Sequence, residues 1–333
     1  CIHYNRYLIS MILVTGGAGF IGGNFVLDWL KHPQAEGIVN LDKLTYAGNL
    51  ATLDSLKNDS RHIFIHGDIG DHALVTRLLK EHQPRAIINF AAESHVDRSI
   101  VDPYAFVRTN AYGTNVMCDV ARQVEVQRFL HISTDEVYGS IDEGSFSETD
   151  ILCPRSPYSA SKASSDLIAL SYVTTYGLPV IVTRCSNNFG PYQFPEKLIP
   201  LFTTNLLDGK KVPLYGDGGN VRDWIHVEDH NIAAHLVLQK GEVGQVYNIG
   251  AHNEITNREI TYRLLALCGR DESSITPVAD RLGHDRRYSV HIDKLSALGW
   301  TLSRTFEDSL AETVEWYRDN RAWWEPLKAR AGL

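Results

Sequence analysis

Tyr158 and Lys162, four positions apart, are the pair in this 333-residue chain whose types and spacing bear most directly on chemistry. On a helix they share a face one turn apart. Ser156 and Pro157 suit an N-cap and a first helical position, so a helix is expected to begin here. A phenol titrates near pH ~10 and is a poor base at neutrality. A neighbouring ammonium favours the phenolate, which can then take a proton from a substrate hydroxyl. Roughly twenty residues earlier stand Thr134, Asp135 and Glu136. Adjacent carboxylates can divide acid and base roles when their surroundings push their pKa values apart. Each feature also has a plainer reading, an amphipathic helix with a buried Tyr and a solvated Lys, and a solvated turn. Their setting in the chain has to decide.

Residues 11–15 are apolar and β-rich and end in Gly16-Gly17-Ala18-Gly19-Phe20-Ile21-Gly22, after which Phe25, Val26, Trp29 and Leu30 recur at helical spacing. Gly17, Gly19 and Gly22 satisfy G-x-G-x-x-G, and Gly16, Gly19 and Gly22 the related G-x-x-G-x-x-G. The chemistry served is a tight turn, close backbone approach to a pyrophosphate, and a helix N-terminus aimed at it. A second strand, 37–41, ends at Asp42, twenty residues beyond Gly22, where a carboxylate accepts hydrogen bonds from ribose hydroxyls. That charge repels a 2′-phosphate and favours NAD over NADP, a preference Lys43 weakens slightly. Strand 62–66 leads into Gly67-Asp68-Ile69, an adenine-edge contact. A helix at about 71–83, strand 86–90 and the small pair Ala91-Ala92 follow, and small residues at a strand end let a cofactor lie close.

Residues 93–99 are too polar for a core strand and read as a loop over the site. His95 and Asp97 lack a third ligand at metal spacing, so no metal is expected. A long helix is expected over 104–124, and strand 128–132 then delivers Ser133 through Glu136 to the cleft. After strand 180–183, residues 187–192 read as a loop, near which the first lobe ends. Beyond it, 213–219 carries a hairpin signal, and 222–226 precedes a helix running to about residue 238. Residues 280–288 pack three arginines and a histidine around one glycine, able to hold phosphates or to make inter-lobe salt bridges. A C-terminal helix, about 305–320, aligns Phe306, Leu310, Val314 and Tyr317, with Trp323 and Trp324 as packing or interface residues.

Length and a hydrophobic content of 44% suit a globular protein of two lobes. The net charge of −8 and the absence of any Lys/Arg run argue against nucleic-acid or anionic-membrane binding. No apolar run reaches membrane-spanning length. Five scattered cysteines without a C-x-x-C pair suit reduced thiols in the cytoplasm. The expected fold is a Rossmann-type doubly wound parallel α/β sheet over 11–185, with a smaller C-terminal α/β substrate lobe over 186–333. Some of the chain should cross back from the second lobe to the first, and 1–10 is read as an extension.

The runs TGGAGFIG, STDE (133–136), YSASK (158–162) and NNFGPYQFPEKLIP (187–200) resemble the extended short-chain dehydrogenase/reductase family, and within it the branch that dehydrates dTDP-glucose. YAGN (46–49), AAESHVDRS (91–99), VRDW (221–224) and GHDRRY (283–288) extend the likeness over 11–327. The resemblance implies a tightly held NAD. Tyr158, assisted by Lys162, would take the proton from the sugar 4-hydroxyl as hydride leaves carbon 4. Glu136 would remove the carbon 5 proton, and protonated Asp135 would give its own to the departing 6-hydroxyl. Thr134 would hydrogen-bond near the 4-oxygen. By the same resemblance Gly16, Gly19, Phe20, Ile21, Gly22, Asp42, Lys43, Leu44, Thr45, Asp68, Ile69, Ala91, Ala92, Thr109 and Asn188 would touch NAD, with Tyr158 and Lys162. Ser94, Thr134, Asn187, Lys197, Leu198, Pro213, Leu214, Tyr215, Arg222, Asn257, Asp280, Arg281, Leu282, Gly283 and His284 would hold the nucleotide sugar. A homodimer is implied, built from the helix after Tyr104 and the helix beginning near Tyr158. Gly23, Phe189 and Leu282 depart from the pattern, outside the acid–base set. Rival readings are an epimerase, decarboxylase or dehydratase acting on a UDP-sugar and, from another class, a non-catalytic NAD-binding regulator.

Overall fold

The computed structural model describes residues 10–280 and 284–332. The expected extension (apart from Ser10) and Arg281, Leu282 and Gly283 lie outside the described residues. The chain opens with β1 (Met11–Thr15), α1 (Phe20–Leu30), β2 (Gly37–Asp42), β3 (His62–His66), α2 (His72–His82) and β4 (Ala86–Asn89). It continues with α3 (Val96–Val101), α4 (Pro103–Phe106), a π-helical run Val107–Gly113, and α5 (Thr114–Ala121). Then come β5 (Arg128–Thr134), a 3-10 turn Asp135–Tyr138, α6 (Pro157–Tyr176) and β6 (Val180–Cys185). The remainder is β7 (Asn187–Phe189), α7 (Leu198–Leu207), β8 (Val212–Tyr215), β9 (Val221–His226), α8 (Val227–Lys240), β10 (Val246–Ile249), β11 (Glu254–Thr256), α9 (Asn257–Leu267), β12 (Ile275–Val278), α10 (Asp293–Ser296), α11 (Phe306–Asp319) and α12 (Arg321–Ala331).

Seven strands form one parallel sheet in the order β10-β6-β5-β4-β1-β2-β3. A parallel sheet is covered on both faces, which is why β2, β4 and β6 are buried at every residue. On one face Ile12, Val14 and Ile38 pack with Phe25 and Val26 of α1 and Ala233 and Val237 of α8. On the other, Leu13, Val39 and Ile87 pack with Val75 and Leu79 of α2, Met117 of α5 and Ala169 of α6. Successive connections run outward in opposite directions from β1 and β4, so the crevice at their C-terminal ends is where such a sheet receives a ligand. The chain beyond β6 serves both regions. β10 returns beside β6, whereas β7, β9 and β11 form a three-stranded sheet over a third core of Phe189, Phe202, Trp224, Phe306, Leu310 and Val314.

Local chemistry explains the element that matters most. Ser156 and Ser159 form a reciprocal capping box at 3.0 Å, Pro157 follows at the first helical position, and Gly177 closes α6 in the left-handed region at φ +69°. The face of α11 expected to be apolar is buried at Phe306, Leu310, Val314 and Tyr317. Trp324 is fully buried, its indole N–H donating to the Tyr317 carbonyl at 2.6 Å.

Four expectations need correction. Residues 93–99 are not all loop, because α3 starts at Val96, where Ser99 turns inward and its hydroxyl donates to the Val96 carbonyl at 2.6 Å. Polarity excluded a core strand but not a short helix. The long helix begins at Pro103, capped by Asp102, and carries the π-helical run within it. Residues 187–189 are a strand rather than loop. Residues 213–219 form no hairpin, since β8 pairs in parallel with β12 while β9 joins β7 and β11. Turn chemistry at Gly216 and Gly218, both at positive φ, was read correctly, but it could not say which strand lies alongside. Among the described residues no helix is long and apolar enough to cross a membrane.

Candidate active site

The glycine turn closes between β1 and α1. Gly16 holds φ +71° with its backbone so near that of Ala91 that a Cβ would stand 2.7 Å from the Ala91 nitrogen. A Cβ on Gly22 would collide with the Gly16 carbonyl. Gly19 caps α1 without any side-chain bond, which leaves the helix's first amides to an anion. At the end of β2 the Asp42 carboxylate accepts the Ala18 amide at 2.9 Å and the Leu44 amide at 2.7 Å. Burial pushes its pKa up and those two bonds pull it back. Lys43 is ion-paired to Asp68 at 2.7 Å, so the cation that seemed to weaken the NAD preference is already matched by a carboxylate.

A cavity of about 290 Å³ runs from this turn to the end of β5. It is lined by Gly16, Gly19, Phe20, Ile21, Gly22, Asp42, Lys43, Thr45, Asp68, Ile69, Ala91, Ala92, Ser94 and Thr109, and farther in by Thr134, Asp135, Glu136, Tyr158, Lys162, Asn187, Asn188 and Lys197. A second cavity of about 200 Å³ lies against the smaller sheets, lined by Asn187, Lys197, Leu198, Pro213, Leu214, Tyr215, Arg222, Asn257 and His284. Glu136, Asn187, Asn188 and Lys197 line both, so Glu136 stands where the two meet, with Asp135 on the side of the first. Leu44 and Asp280 line neither. Leu44 turns at φ +52° to pack on the core, and Asp280 is paired with His284 at 2.6 Å. Arg286 and Arg287 are held by Asp217 at 3.0 Å and Glu254 at 2.6 Å, so for these two the salt-bridge reading prevails over phosphate binding.

Thr134, Asp135, Tyr158 and Lys162 are buried, and Glu136 is partly exposed. Asp135 is 3% exposed, and burial with the neighbouring Glu136 and Asp223 charges raises its pKa well above its ordinary value, which favours the protonated form. Its Oδ2 finds no partner among the described residues, nor do Asn187 Oδ1 and Asn188 Oδ1. Buried polar atoms without partners at a cavity wall fit a ligand that supplies them. Tyr158 departs from the sequence expectation. Burial, then the Glu136 charge, pushes the phenol well above its ordinary value, with a Thr134 hydrogen bond opposing. Lys162 Nζ donates a hydrogen bond to the Ile132 carbonyl at 2.7 Å. Spacing alone put the ammonium beside the phenol, but the carbonyl at the end of β5 takes the hydrogen bond.

Other cavity residues escaped the sequence reading. Tyr46 donates to Glu196 at 2.8 Å beneath the Arg98 guanidinium, 3.7 Å from its ring. Tyr288 sits under Arg222 at 4.2 Å and donates to Asp285 at 2.7 Å. All belong to, or adjoin, the family-like runs, so the signal lay in the runs and not in any single spacing.

A Tyr-x-x-x-Lys helix laid against the dinucleotide crevice of a doubly wound sheet, with a second lobe over it, defines an extended short-chain dehydrogenase/reductase. The chain belongs to the GDP-mannose 4,6 dehydratase family, whose model matches residues 13–313. A dTDP-glucose 4,6-dehydratase of Streptomyces antibioticus is 54% identical, the match covering 96% of each chain. The crystal structure of DesIV, a dTDP-glucose 4,6-dehydratase of Streptomyces venezuelae with NAD bound, superposes with a TM-score of 0.93 at 54% identity and covers 96% of this chain and 100% of that one. A UDP-glucose 4-epimerase of Thermotoga maritima with UDP-glucose follows at TM-score 0.86 and 30% identity, covering 93% and 99%.

Proposed function

We propose that this chain is an NAD-dependent lyase that converts dTDP-glucose to dTDP-4-keto-6-deoxyglucose and water, for deoxysugar biosynthesis. The carrying observation is the adjacent Asp135–Glu136 pair, with Glu136 partly exposed where the two cavities meet and Asp135 buried behind it in surroundings that favour its protonated form. Epimerisation needs hydride removed and returned, whereas dehydration also needs a base at carbon 5 and an acid at oxygen 6. Half-identical relatives named for dTDP-glucose favour that sugar over the GDP-mannose of the family model's name.

When bound, NAD would supply a positive charge and a reversible hydride acceptor, taking hydride from carbon 4 and returning it to carbon 6 as Glu136 returns its proton to carbon 5. The glycine turn, the α1 amides and Asp42 hold it, and Ala91 and Ala92 let it lie close. Burial alone favours the neutral phenol of Tyr158; as the phenolate that the Lys162 ammonium and bound NAD would favour, Tyr158 takes the 4-hydroxyl proton, and Thr134 bonds the same oxygen. Oxidation at carbon 4 acidifies the carbon 5 proton, which Glu136 removes. Asp135 gives its proton to the leaving 6-hydroxyl, and its burial beside Glu136 and Asp223 favours the protonated form this requires.

We also propose a homodimer. Val101, Tyr104, Val107, Leu167 and Tyr176 are exposed on α3, α4, the π-helical run and α6, which pack side by side. Exposed large apolar side chains gathered on neighbouring helices support an interface there. The four described cysteines, Cys118, Cys153, Cys185 and Cys268, are unpaired, which supports the cytoplasm. The test is incubation with dTDP-glucose, UDP-glucose and GDP-mannose separately. Loss of one water and an alkali-absorbing product with dTDP-glucose is expected. An isomer of unchanged mass would replace this reading with an epimerase.

A further inference from the structure

One turn beyond Lys162 on α6 lies Asp166, a carboxylate to which the proposed reaction assigns no role. It is 0% exposed, and Arg184 from β6 donates to its Oδ2 at 2.9 Å. Arg184 is anchored in turn, donating to the Tyr138 hydroxyl at 2.9 Å, which donates to Asn248 at 2.8 Å. His131 from β5 stands 3.6 Å from Asp166 Oδ1, but burial holds that imidazole neutral, and its ring bonds Ser165 at 3.0 Å and Asn89 at 3.2 Å. Asp166 on the same helix and Cys185 at the end of β6 act on Lys162, Lys162 acts on His131 from β5, and Tyr158, Asp135 and Glu136 line the same cavity.

An ammonium removed from water needs an anion close by, or it sheds its proton. Burial drives Asp135 and the Cys185 thiol, the latter pushed up to about 12, toward their protonated forms, and Glu136 shares the cavity without being among the charges that act on Lys162. Spacing of i, i+4 puts the Asp166 carboxylate on the Lys162 face of the helix, although the two make no direct ion pair, Lys162 bonding Ile132 and Asp166 bonding Arg184. Lys162 and Arg184 thus share the one carboxylate of Asp166 within the cluster, and the Glu136 carboxylate stands at the cavity wall.

We propose that Asp166 is the counter-ion of Lys162 and a positioning residue for the reaction, holding the lysine as an ammonium while Arg184 holds the carboxylate in place. This rests on the function proposed above, since it is Tyr158 that the retained charge serves. Burial drives Lys162 and Asp166 each toward its neutral form, and the attraction between them opposes both shifts.

The test compares Asp166→Asn, which keeps the shape and loses the charge, with Asp166→Glu, which keeps the charge and strains the shape. Two readouts are taken. One is the pH profile of water loss from dTDP-glucose. The other is the pH at which cyanate, which carbamylates only neutral amines, half-modifies Lys162 by peptide mass spectrometry. In Asp166→Asn the carbamylation midpoint falls by about one to three pH units, the alkaline limb of turnover moves with it, and Asp166→Glu restores both toward wild type. The double variant Asp166→Asn/Arg184→Gln leaves no unpaired buried guanidinium and still lowers the midpoint, should the single variant fail to fold. An unmoved midpoint, or Asn lying closer to wild type than Glu, overturns the proposal. If wild-type protein does not turn over dTDP-glucose, the functional reading fails by itself and the cyanate midpoint still decides the role of Asp166.

Discussion

Replacing Asp135 by Asn separates acid catalysis from structure. Asp135 is buried in surroundings that favour its neutral form, so the amide removes no charge from the core and keeps the Thr134 neighbour at a hydroxyl distance of 3.3 Å. Folding stability should therefore change by no more than about 1 kcal/mol, in the range of an ordinary neutral hydrogen bond. What is lost is the proton for the leaving 6-hydroxyl. General acid catalysis contributes roughly 10²–10⁴-fold, or about 3–5 kcal/mol of barrier. Water loss should slow by that factor, while exchange of the carbon 5 hydrogen with D₂O continues because Glu136 is intact. Glu136→Gln should reverse the pattern and abolish the exchange. It also removes a charge that raises both Asp135 and Tyr158, so both groups should titrate lower in that variant. Single-turnover mass spectrometry in D₂O reads water loss and exchange together. Water loss within threefold of wild type in Asp135→Asn, with thermal stability intact, would refute the acid assignment.

Asp42→Ala removes a charged acceptor from the ribose end of the cavity. NAD affinity should fall by about 1.5–3 kcal/mol, a tenfold to hundredfold loss, measured by calorimetry on cofactor-stripped protein. Tyr104→Asp with Leu167→Asp places charge on the exposed apolar face, and sedimentation should then show monomer where wild type shows dimer. His230 is buried and its pKa lowered to about 4, whereas the unfolded chain binds a proton near 6.5. Stability owed to its neutral form is present above pH 6.5 and lost as pH falls toward 4. The stability of wild type relative to His230→Gln should thus fall by about 1.4 kcal/mol per pH unit in that window, read from denaturant melts at several pH values.

Much of this site was legible because its signals are short-range. A glycine turn between a strand and a helix, an acid at the end of the next strand, and Tyr and Lys at i, i+4 behind a Ser-Pro start are each set by backbone geometry over a few residues. The core face of α11 followed from periodicity in the same way. Pairing did not follow, because β8 takes as its partner β12, whose residues lie far along the chain, and a turn signal carries no information about that choice. Tyr46, Arg98 and Glu196 come from three separate segments, and no spacing relates them.

The sequence by itself determined which groups are present and which local geometry each adopts, and that was enough to place a dinucleotide turn, an acid pair and a Tyr–Lys helix. Only the tertiary structure decided their protonation and partners. Folding buries Asp135 beside Glu136 and Asp223 and so favours its neutral form, and Lys162 bonds a strand carbonyl while the Asp166 charge opposes its loss of a proton. The physical reason is range. Capping, turns and helical spacing act over one or two turns of chain, whereas desolvation and the Coulomb field of buried charges depend on which distant segments close over a group.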